Sequence, residues 1–226
     1  MNGIKVAIDG PAGAGKSTAA RMLAQRVGYM YIDTGAMYRA LTLLALREKI
    51  DWNNEKALAQ LIKKHNISQN GTATYIDNEN VSYEIRSDEV TRAVSVVCNH
   101  NDVRVELVKL QRKFASDGAV VMEGRDIGTV VLPDAELKLF LVASQIERSH
   151  RRMKDIEELG GDSAFESVNK NIRIRDYLDS SRDLAPLKQA KDAIYIDNTY
   201  MSIDFELYIL EQLVRCREKQ HEGKTT

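Results

Sequence analysis

A glycine-rich stretch near the start of the chain, Gly10-Pro11-Ala12-Gly13-Ala14-Gly15-Lys16-Ser17, strongly limits what this sequence can fold into. It fits the pattern G-x-x-x-x-G-K-[S/T], in which backbone N–H groups surround phosphate oxygens. An apolar run typical of a buried parallel strand precedes it at 4–8, and residues 18–27 carry apolar side chains at helical spacing. The stretch therefore has the strand–loop–helix context of a phosphate-binding loop. The alternative is a glycine turn that only joins a strand to a helix.

The residue types in this stretch predict its chemistry. Glycines let the backbone turn its N–H groups inward, and the positive end of the following helix also attracts an anion. Lys16 would reach the outer phosphates of a bound triphosphate, and the Ser17 hydroxyl would contact Mg²⁺. We therefore expect the chain to bind a triphosphate together with Mg²⁺.

Composition excludes several other classes of protein. The 226 residues are 43% hydrophobic, which is enough for one domain of ordinary size with a modest insertion. Lys and Arg number 32 against 33 Asp and Glu, so no overall positive charge favours nucleic acid or a membrane surface. The two cysteines and four histidines show no disulfide or metal-ligand spacing. With no signal peptide and no apolar run near 18 residues, we expect a cytoplasmic protein.

Four further apolar runs predict strands at 29–32, 119–122, 137–142 and 193–196, and helical patterns separate them. Strands that alternate with helices favour a doubly wound parallel sheet. The sequence thus predicts an α/β fold with a five-stranded parallel sheet flanked by helices.

The pattern of strands alternating with helices is interrupted between residues 51 and 101. A helical pattern at 55–65 is followed by Asn70-Gly71 and Asp77-Asn78, with short alternating runs near 72–76, before another helical pattern at 87–97. We interpret 51–101 as an α+β lobe with a small antiparallel sheet, inserted into a single domain that spans 1–226.

Polar side chains follow two of the predicted core strands. Asp33 and Thr34 come after the second strand, with Arg39 in the helix behind them, and Arg125 and Asp126 come after the third. Ligands bind beyond the carboxyl ends of the strands in open parallel sheets, so these residues are candidates for a ligand site. The alternatives are a solvated surface arginine for Arg39 and a structural ion pair for Arg125 and Asp126.

Two helices with clustered arginines are predicted in the last third of the chain. The first opens with capping-box spacing at 144–147, extends to about Leu159, and carries Arg148, Arg151 and Arg152 on one face. Guanidinium groups so close together repel one another unless an anion lies between them. Gly160-Gly161 then marks a break.

The second helix begins with a capping box at 163–166 and is expected to end at Pro186. Arg175, Asp179 and Arg182 follow one another at i, i+4 and i+7, on one face of it. A weak surface pair between Arg175 and Asp179 is the alternative. We interpret residues 148–183 as a helical lid that closes over a reacting group.

Taken together, the loop and the arginines predict two bound anions. Phosphoryl transfer depends on positioning and charge neutralisation more than on covalent chemistry, so a loop that holds a donor and arginines that hold an acceptor are its expected parts.

Four segments, taken in this order, resemble bacterial cytidylate kinases: GPAGAGKST from Gly10 to Thr18, DTGAMYR from Asp33 to Arg39, EGRDIGT from Glu123 to Thr129, and RDYLDSSRDLAPL from Arg175 to Leu187. The resemblance extends from about Ile4 to the last helix. Many NTPases share the first segment, whereas the other three are far more specific. The resemblance implies a P-loop NTPase fold and transfer of the ATP γ-phosphate to CMP or dCMP with Mg²⁺, giving ADP and CDP or dCDP.

The resemblance also implies roles for matched positions. On the donor side it implies ATP binding by Gly10, Pro11, Ala12, Gly13, Ala14, Gly15, Lys16, Ser17, Thr18, Arg148, Arg151 and Arg152. Lys16, Arg125 and Arg182 are the expected catalytic residues. Ser17 would contact Mg²⁺ through ATP, with Asp33 as a second candidate ligand. Glu123 stands where the family commonly has Asp, and we assign it no role.

On the acceptor side, forked guanidinium groups suit the CMP phosphate, and a carboxylate can accept from the exocyclic amine that distinguishes cytosine from uracil. The resemblance implies that Arg39, Arg125 and Arg182 hold the phosphate, that Arg175 and Asp179 contact the sugar, and that Ser95, Arg104 and Asp126 recognise the base. Thr34 supplies a hydroxyl where the family often has serine.

Other readings of the sequence remain open at this point. A kinase for AMP, dTMP or shikimate would keep the loop but lack the combination of Ser95, Arg104 and Asp126. A GTP-dependent switch would need Asp after 169–171 to complete N-K-x-D, and Ile172 stands there. No basic stripe interleaved with aromatic residues supports nucleic-acid binding. We expect a monomer that binds small nucleotides.

Overall fold

The computed structural model describes residues 3–158 and 160–225; Leu159, the predicted end of one helix, lies outside them. Its strands are β1 (Lys5–Asp9), β2 (Met30–Asp33), β3 (Ile67–Asn70), β4 (Ala73–Ile76), β5 (Glu79–Asn80), β6 (Val120–Gly124), β7 (Leu137–Val142) and β8 (Ile194–Asp197). Its α-helices are α1 (Lys16–Val27), α2 (Thr34–Arg47), α3 (Glu55–Lys64), α4 (Asp88–Val97), α5 (Asn101–Phe114), α6 (Gln145–Glu158), α7 (Phe165–Ser181) and α8 (Ile203–Thr225). No helix in this part of the chain is long and apolar enough to cross a membrane.

The larger sheet has five strands in the order β2-β6-β1-β7-β8. β1 pairs in parallel with β6 and β7, and β7 pairs in parallel with β8. All of β6 and all of β1 except its first residue are buried, because helices cover both faces of a parallel sheet. The predicted five-stranded α/β sheet is confirmed. Since β1 is flanked by β6 and β7, the segments that follow these strands emerge at the same edge.

The chain divides into two compact units, Met1–Tyr29 with Gly118–Thr226, and Met30–Asp117. The second unit contains a three-stranded antiparallel sheet in the order β3-β4-β5, at the place where the Asn/Gly-rich turns predict one. The side chains of Asp33 and Ser87 accept backbone N–H groups at the start of α2 and α4. Acceptor binding by the inserted segment 51–101 stays a prediction.

Both predicted ends of α7 are wrong. The helix begins at Phe165 with Ala164 at the N-cap and no side-chain cap, so the capping box predicted at 163–166 is not formed. It ends at Ser181, before Pro186, because Arg182 has extended backbone with φ −66° and ψ 141°. This conformation lets the Arg182 Nε donate to the carbonyl oxygen of Ala185 at 2.6 Å, a contact that a continuing helix would not allow.

Candidate active site

The phosphate loop, residues 10–17, joins β1 to α1. Gly10 has φ 153°, and a Cβ atom at this position would lie 2.0 Å from the carbonyl oxygen of Leu141. Gly13 has φ 73°, and a Cβ atom there would lie 2.9 Å from the carbonyl oxygen of Arg148. The loop can therefore follow this path only with glycine at both positions, packed against β7 and α6.

Lys16 and Ser17 stand at the start of α1, where the motif predicts them. Lys16 is buried, and its Nζ donates to the carbonyl oxygen of Pro11 at 2.8 Å. Burial disfavours its ammonium form and the charge of Arg125 adds to this effect, so the pKa of Lys16 falls to about 7. The negative charge of a bound phosphate would therefore stabilise the ammonium form of Lys16.

Glu123, to which the sequence assigns no role, belongs to the same site. It lies near the end of β6 with its carboxyl group buried, and its Oε1 accepts from the Ser17 hydroxyl at 2.6 Å. The position of Glu123 at the carboxyl end of a predicted strand could have placed it in the site. We assigned it no role because the family commonly has Asp there.

Asp9 is a second buried carboxyl group that the sequence analysis missed. It ends β1, directly before the loop, and its two oxygens accept the N–H groups of Ile127 and Gly128, both at 2.8 Å. These N–H groups open a short π-helical turn at Ile127–Val131. Burial raises the pKa of Asp9 to about 6, although both hydrogen bonds oppose the shift. Asp9 thereby fixes the turn that follows Asp126.

The five residues of the first unit that we expect in the acceptor site form ion pairs with one another, in two sets. The Arg125 Nε donates to Asp179 at 2.7 Å, Arg182 donates to Asp126 at 3.4 Å, and Arg175 lies 4.0 Å from Asp179. Burial alone would raise the pKa of Asp179, but the charge and hydrogen bond of Arg125, together with the charges of Arg175 and Arg182, outweigh burial and the pKa is lowered. Asp179 thus pairs chiefly with Arg125, not with Arg175 as in a simple surface pair on α7.

The remaining candidates, in the second unit, lie on α2, α4 and α5, and α2 packs against the other two helices. Thr34 is buried, and the Nη1 of Arg39 donates to the Thr91 hydroxyl at 2.9 Å. The guanidinium of Arg104 is buried and lies 5.8 Å from the centre of the Tyr38 ring. Ser95 is half-buried on α4. Arg39 and Arg104 therefore contact the protein interior and are not the solvated side chains of a polar face.

The three arginines of α6 have different surroundings. Arg148 is buried and donates to the carbonyl oxygens of Ala143 and Ala12 and to Asp176. Arg151 donates to Glu147 and to Asn198. Arg152 is about half exposed and pairs with Asp155 at 3.7 Å. All three arginines thus contact oxygen atoms of the protein, whereas the sequence predicts that an anionic ligand lies between them.

Oxygen atoms suited to Mg²⁺ lie beside the loop, namely the Ser17 hydroxyl and the Glu123 carboxylate that accepts from it. Residues 3–158 and 160–225 contain no cluster of three or more His, Cys, Asp or Glu side chains that could by itself hold a metal ion. These residues fit an ion that arrives with phosphate ligands of its own. Asp33 instead caps α2 by accepting from the Ala36 N–H at 2.9 Å, and its metal contact stays a prediction.

Comparisons with known proteins agree with this geometry. A family model described as cytidylate kinase matches residues 6–218. The chain is 48% identical over 219 residues to a cytidylate kinase of Enterococcus faecalis, covering 95% of this chain and 97% of that protein. It is 52% identical to a cytidylate kinase of a Geobacillus species, over 90% of this chain and 92% of that protein.

Among solved structures, a gluconokinase from Sinorhizobium meliloti matches with a TM-score of 0.52 and 12% sequence identity, covering 100% of this chain and 98% of that one. At this identity the match shows a shared fold alone, and that fold is the one predicted from the loop and the alternating strands.

Proposed function

The chain belongs to the cytidylate kinase family, and from this premise we infer that it transfers the γ-phosphate of ATP to CMP or dCMP. The observation that carries the inference is the meeting of two cationic groups at the ends of neighbouring strands. The phosphate loop follows β1, and Arg125 with its ion-paired neighbours follows β6, which pairs with β1 in parallel. One group suits the donor phosphates and the other suits an anionic acceptor.

We propose that the loop and the start of α1 bind ATP through backbone N–H groups, Lys16 and Ser17, with Thr18 in the first turn. Arg148, Arg151 and Arg152 support the donor from α6. Mg²⁺, which the family implies, would be held by the Ser17 hydroxyl together with ATP and would neutralise phosphate charge. Glu123, hydrogen-bonded to that hydroxyl, orients it.

On the acceptor side, Arg125, Arg182 and Arg39 would hold the CMP phosphate. Ion pairs with Asp179 and Asp126 hold the guanidinium groups of Arg125 and Arg182 in place before the phosphate binds. Asp126, Ser95 and Arg104 would recognise cytosine, Arg175 and Asp179 the sugar, and Thr34 would donate a hydroxyl near the phosphate.

In the reaction, an oxygen of the CMP phosphate forms a bond to the γ-phosphorus of ATP while the bond from that phosphorus to the β–γ bridging oxygen breaks, and ADP leaves. Negative charge builds up on the transferred group and on the leaving oxygen. Lys16, Arg125 and Arg182 are placed to stabilise it.

Four parts of the proposal concern larger features. Residues 148–183 would act as a lid, residues 51–101 would form the enlarged acceptor lobe, and the enzyme would work as a monomer in the cytoplasm. Size-exclusion chromatography with light scattering tests the monomer directly.

The deciding experiment measures ADP release from Mg·ATP with CMP, dCMP, UMP, AMP and dTMP offered separately. We expect turnover mainly with CMP and dCMP. In Asp126→Asn the preference for CMP over UMP should fall by about tenfold or more, because the amide no longer accepts as a carboxylate does. Asp183→Asn, an exposed carboxylate nearby, is the matched control. Strong turnover with AMP or dTMP would reject the cytosine site, and no acceptor-dependent turnover would reject the kinase.

A further inference from the structure

The carbonyl oxygens of the phosphate loop are held by side chains from other parts of the first unit. Arg148 Nη1 donates to the Ala12 oxygen at 2.9 Å, and Asn198 Nδ2 donates to the Ala14 oxygen at 3.0 Å. Both donors are buried, Arg148 with 8% and Asn198 with 0% of its surface exposed. These are built contacts of the interior and not chance surface pairs.

Ala12 is held on both sides. Its N–H donates to Asp176 Oδ1 at 3.1 Å, while Asp176 Oδ2 accepts from the same Arg148 nitrogen that donates to the Ala12 carbonyl. Ala12, Asp176 and Arg148 therefore close a ring of hydrogen bonds that joins α6 and α7 to the loop.

Because peptide units are planar and trans, the hydrogen bonds to the loop carbonyl groups also set the directions of the neighbouring loop N–H groups. The C=O and N–H of one peptide unit point in opposite directions, and no peptide bond within residues 3–158 or 160–225 is cis. Because the Ala12 carbonyl is directed to Arg148, the Gly13 N–H must point away from Arg148. In the same way, Asn198 directs the Gly15 N–H away from itself. Loop N–H groups of this kind hold the α- and β-phosphates of a bound nucleotide.

Three of the five N–H donors of Arg148 are directed to oxygen atoms of the protein, which leaves the two on Nη2. Its Nε donates to the Ala143 oxygen at 3.0 Å, and its Nη1 serves both Ala12 and Asp176. Its backbone also packs directly on Gly13, where a Cβ atom would lie 2.9 Å from the Arg148 carbonyl oxygen. The start of α6 is thus a support of the loop, with its guanidinium directed to the back of the loop.

We propose that Arg148, held by Asp176, is a positioning residue for the donor nucleotide: it orients the Ala12–Gly13 peptide so that the Gly13 N–H faces the phosphates. Asn198 does the same for the Ala14–Gly15 peptide. This inference rests on the proposed function, because it concerns how the loop of that kinase binds ATP. In place of the direct contact with ATP that the resemblance implies for Arg148, it gives this residue an indirect role through the loop.

The test compares ADP with a non-hydrolysable ATP analogue, AMP-PNP, by calorimetry with the full chain in Mg²⁺. Arg148→Ala should weaken both nucleotides alike, by about tenfold or more, because the loop holds phosphates that both possess. CMP affinity should be unchanged. Lys154→Ala, a largely exposed cation on the same helix, is the matched control and should change neither.

A loss confined to AMP-PNP would instead mean direct contact with the γ-phosphate and would overturn the proposal, as would unchanged affinity for both nucleotides. The double variant Arg148→Ala/Asp176→Ala should bind ADP within about twofold of Arg148→Ala alone, because both residues act through one peptide. Fully additive losses would contradict the ring.

Two further measurements decide the outcome if Arg148→Ala does not fold or if the wild-type chain does not bind a nucleotide. If Arg148→Ala does not fold, Arg148→Lys decides, because a single ammonium cannot serve Ala12, Ala143 and Asp176 together and should show the same equal loss for ADP and AMP-PNP. The Gly13 amide resonance in ligand-free Arg148→Lys should shift, while an unmoved resonance and unchanged ADP affinity would reject the proposal. If the wild-type chain binds ADP but neither binds nor phosphorylates CMP, the proposed function fails while this inference stands; if it does not bind ADP, both fail.

Discussion

At the scale of single residues, the donor site combines ionisable groups that a stable core would avoid. Lys16, Asp9 and Glu123 are all buried at the junction of β1, β6 and α1. Removing a charge from water is costly unless other groups compensate for it. The pKa values of Lys16 and Asp9 move toward the neutral forms for this reason. These buried charges lower the stability of the ligand-free protein at the loop that we propose binds phosphate.

The first prediction follows for Lys16. Lys16→Met should abolish turnover because it removes the cation on the donor side. It should also raise the free energy of unfolding of the ligand-free protein by about 1–3 kcal/mol near pH 7, since a buried ammonium is replaced by an apolar chain of similar length. Urea unfolding measures this change. Lys138→Met is the contrast, because Lys138 is buried with Asp192 as an ion-pair partner and its loss should destabilise. A destabilised Lys16→Met would contradict the argument.

The second prediction concerns pH and Asp9. Its pKa is about 6 in the folded protein against an ordinary value of 3.8, so between these pH values the folded state binds more protons than the unfolded state. The contribution of Asp9 to stability therefore falls as pH rises through this window, by about 3 kcal/mol in total, and is constant above it.

The measurement for Asp9 is the stability of the wild type minus that of Asp9→Asn, taken by urea unfolding from pH 4 to pH 7. This difference should fall with pH. Asp197 is the matched control at the end of β8, since its hydrogen bonds with Thr199 lower its pKa and the corresponding difference should not fall. A flat difference for Asp9 would mean that its carboxyl group is not perturbed.

At the scale of elements, the segments after helices and strands decide where the arginines point. α7 ends at Ser181. In the turn that follows, the N–H of Leu187 donates to the backbone carbonyl oxygen of Asp179 at 2.7 Å. Within it Ala185 has φ 50°, a left-handed conformation that residues with a Cβ atom rarely adopt. The turn therefore carries strain while it holds Arg182 beside Asp126.

The third prediction tests this turn. Ala185→Gly should relieve the left-handed strain and stabilise the protein by about 0.5–1 kcal/mol in urea unfolding. Ala190→Gly is the control, because Ala190 does not have a positive φ and glycine there should only destabilise. Equal losses in both variants would show that the turn at Ala185 is not strained.

At the scale of the whole molecule, the near balance of charge, with a net value of −1, hides local groups of one sign. The expected donor residues all lie in the first unit, whereas the expected acceptor residues are distributed between the two units. CMP should therefore slow backbone amide exchange in both units, and ADP should slow it chiefly in the first.

The fourth prediction uses hydrogen–deuterium exchange with mass spectrometry. ADP should protect residues 10–18 and the start of α6, because loop N–H groups bind its phosphates. CMP should protect 34–39 and 91–104 in the second unit, and 123–129 and 175–182 in the first. Peptides from the second half of α8 serve as the internal control. Protection by CMP in the first unit alone would contradict the roles of Arg39, Ser95 and Arg104.

The sequence by itself determined the fold, and its resemblance to cytidylate kinases implied the reaction. Short-range signals fixed the phosphate loop and the strands, because glycine conformations and apolar runs depend on neighbours along the chain. Only the tertiary structure decided the partners of the buried charges. Asp9 with Ile127, Ser17 with Glu123, and Ala12 with Arg148 and Asp176 join residues far apart in sequence, so no local pattern predicts them. The end of α7 was decided in the same way, because the contact of Arg182 with Ala185 and its ion pair with Asp126 outweigh helical spacing.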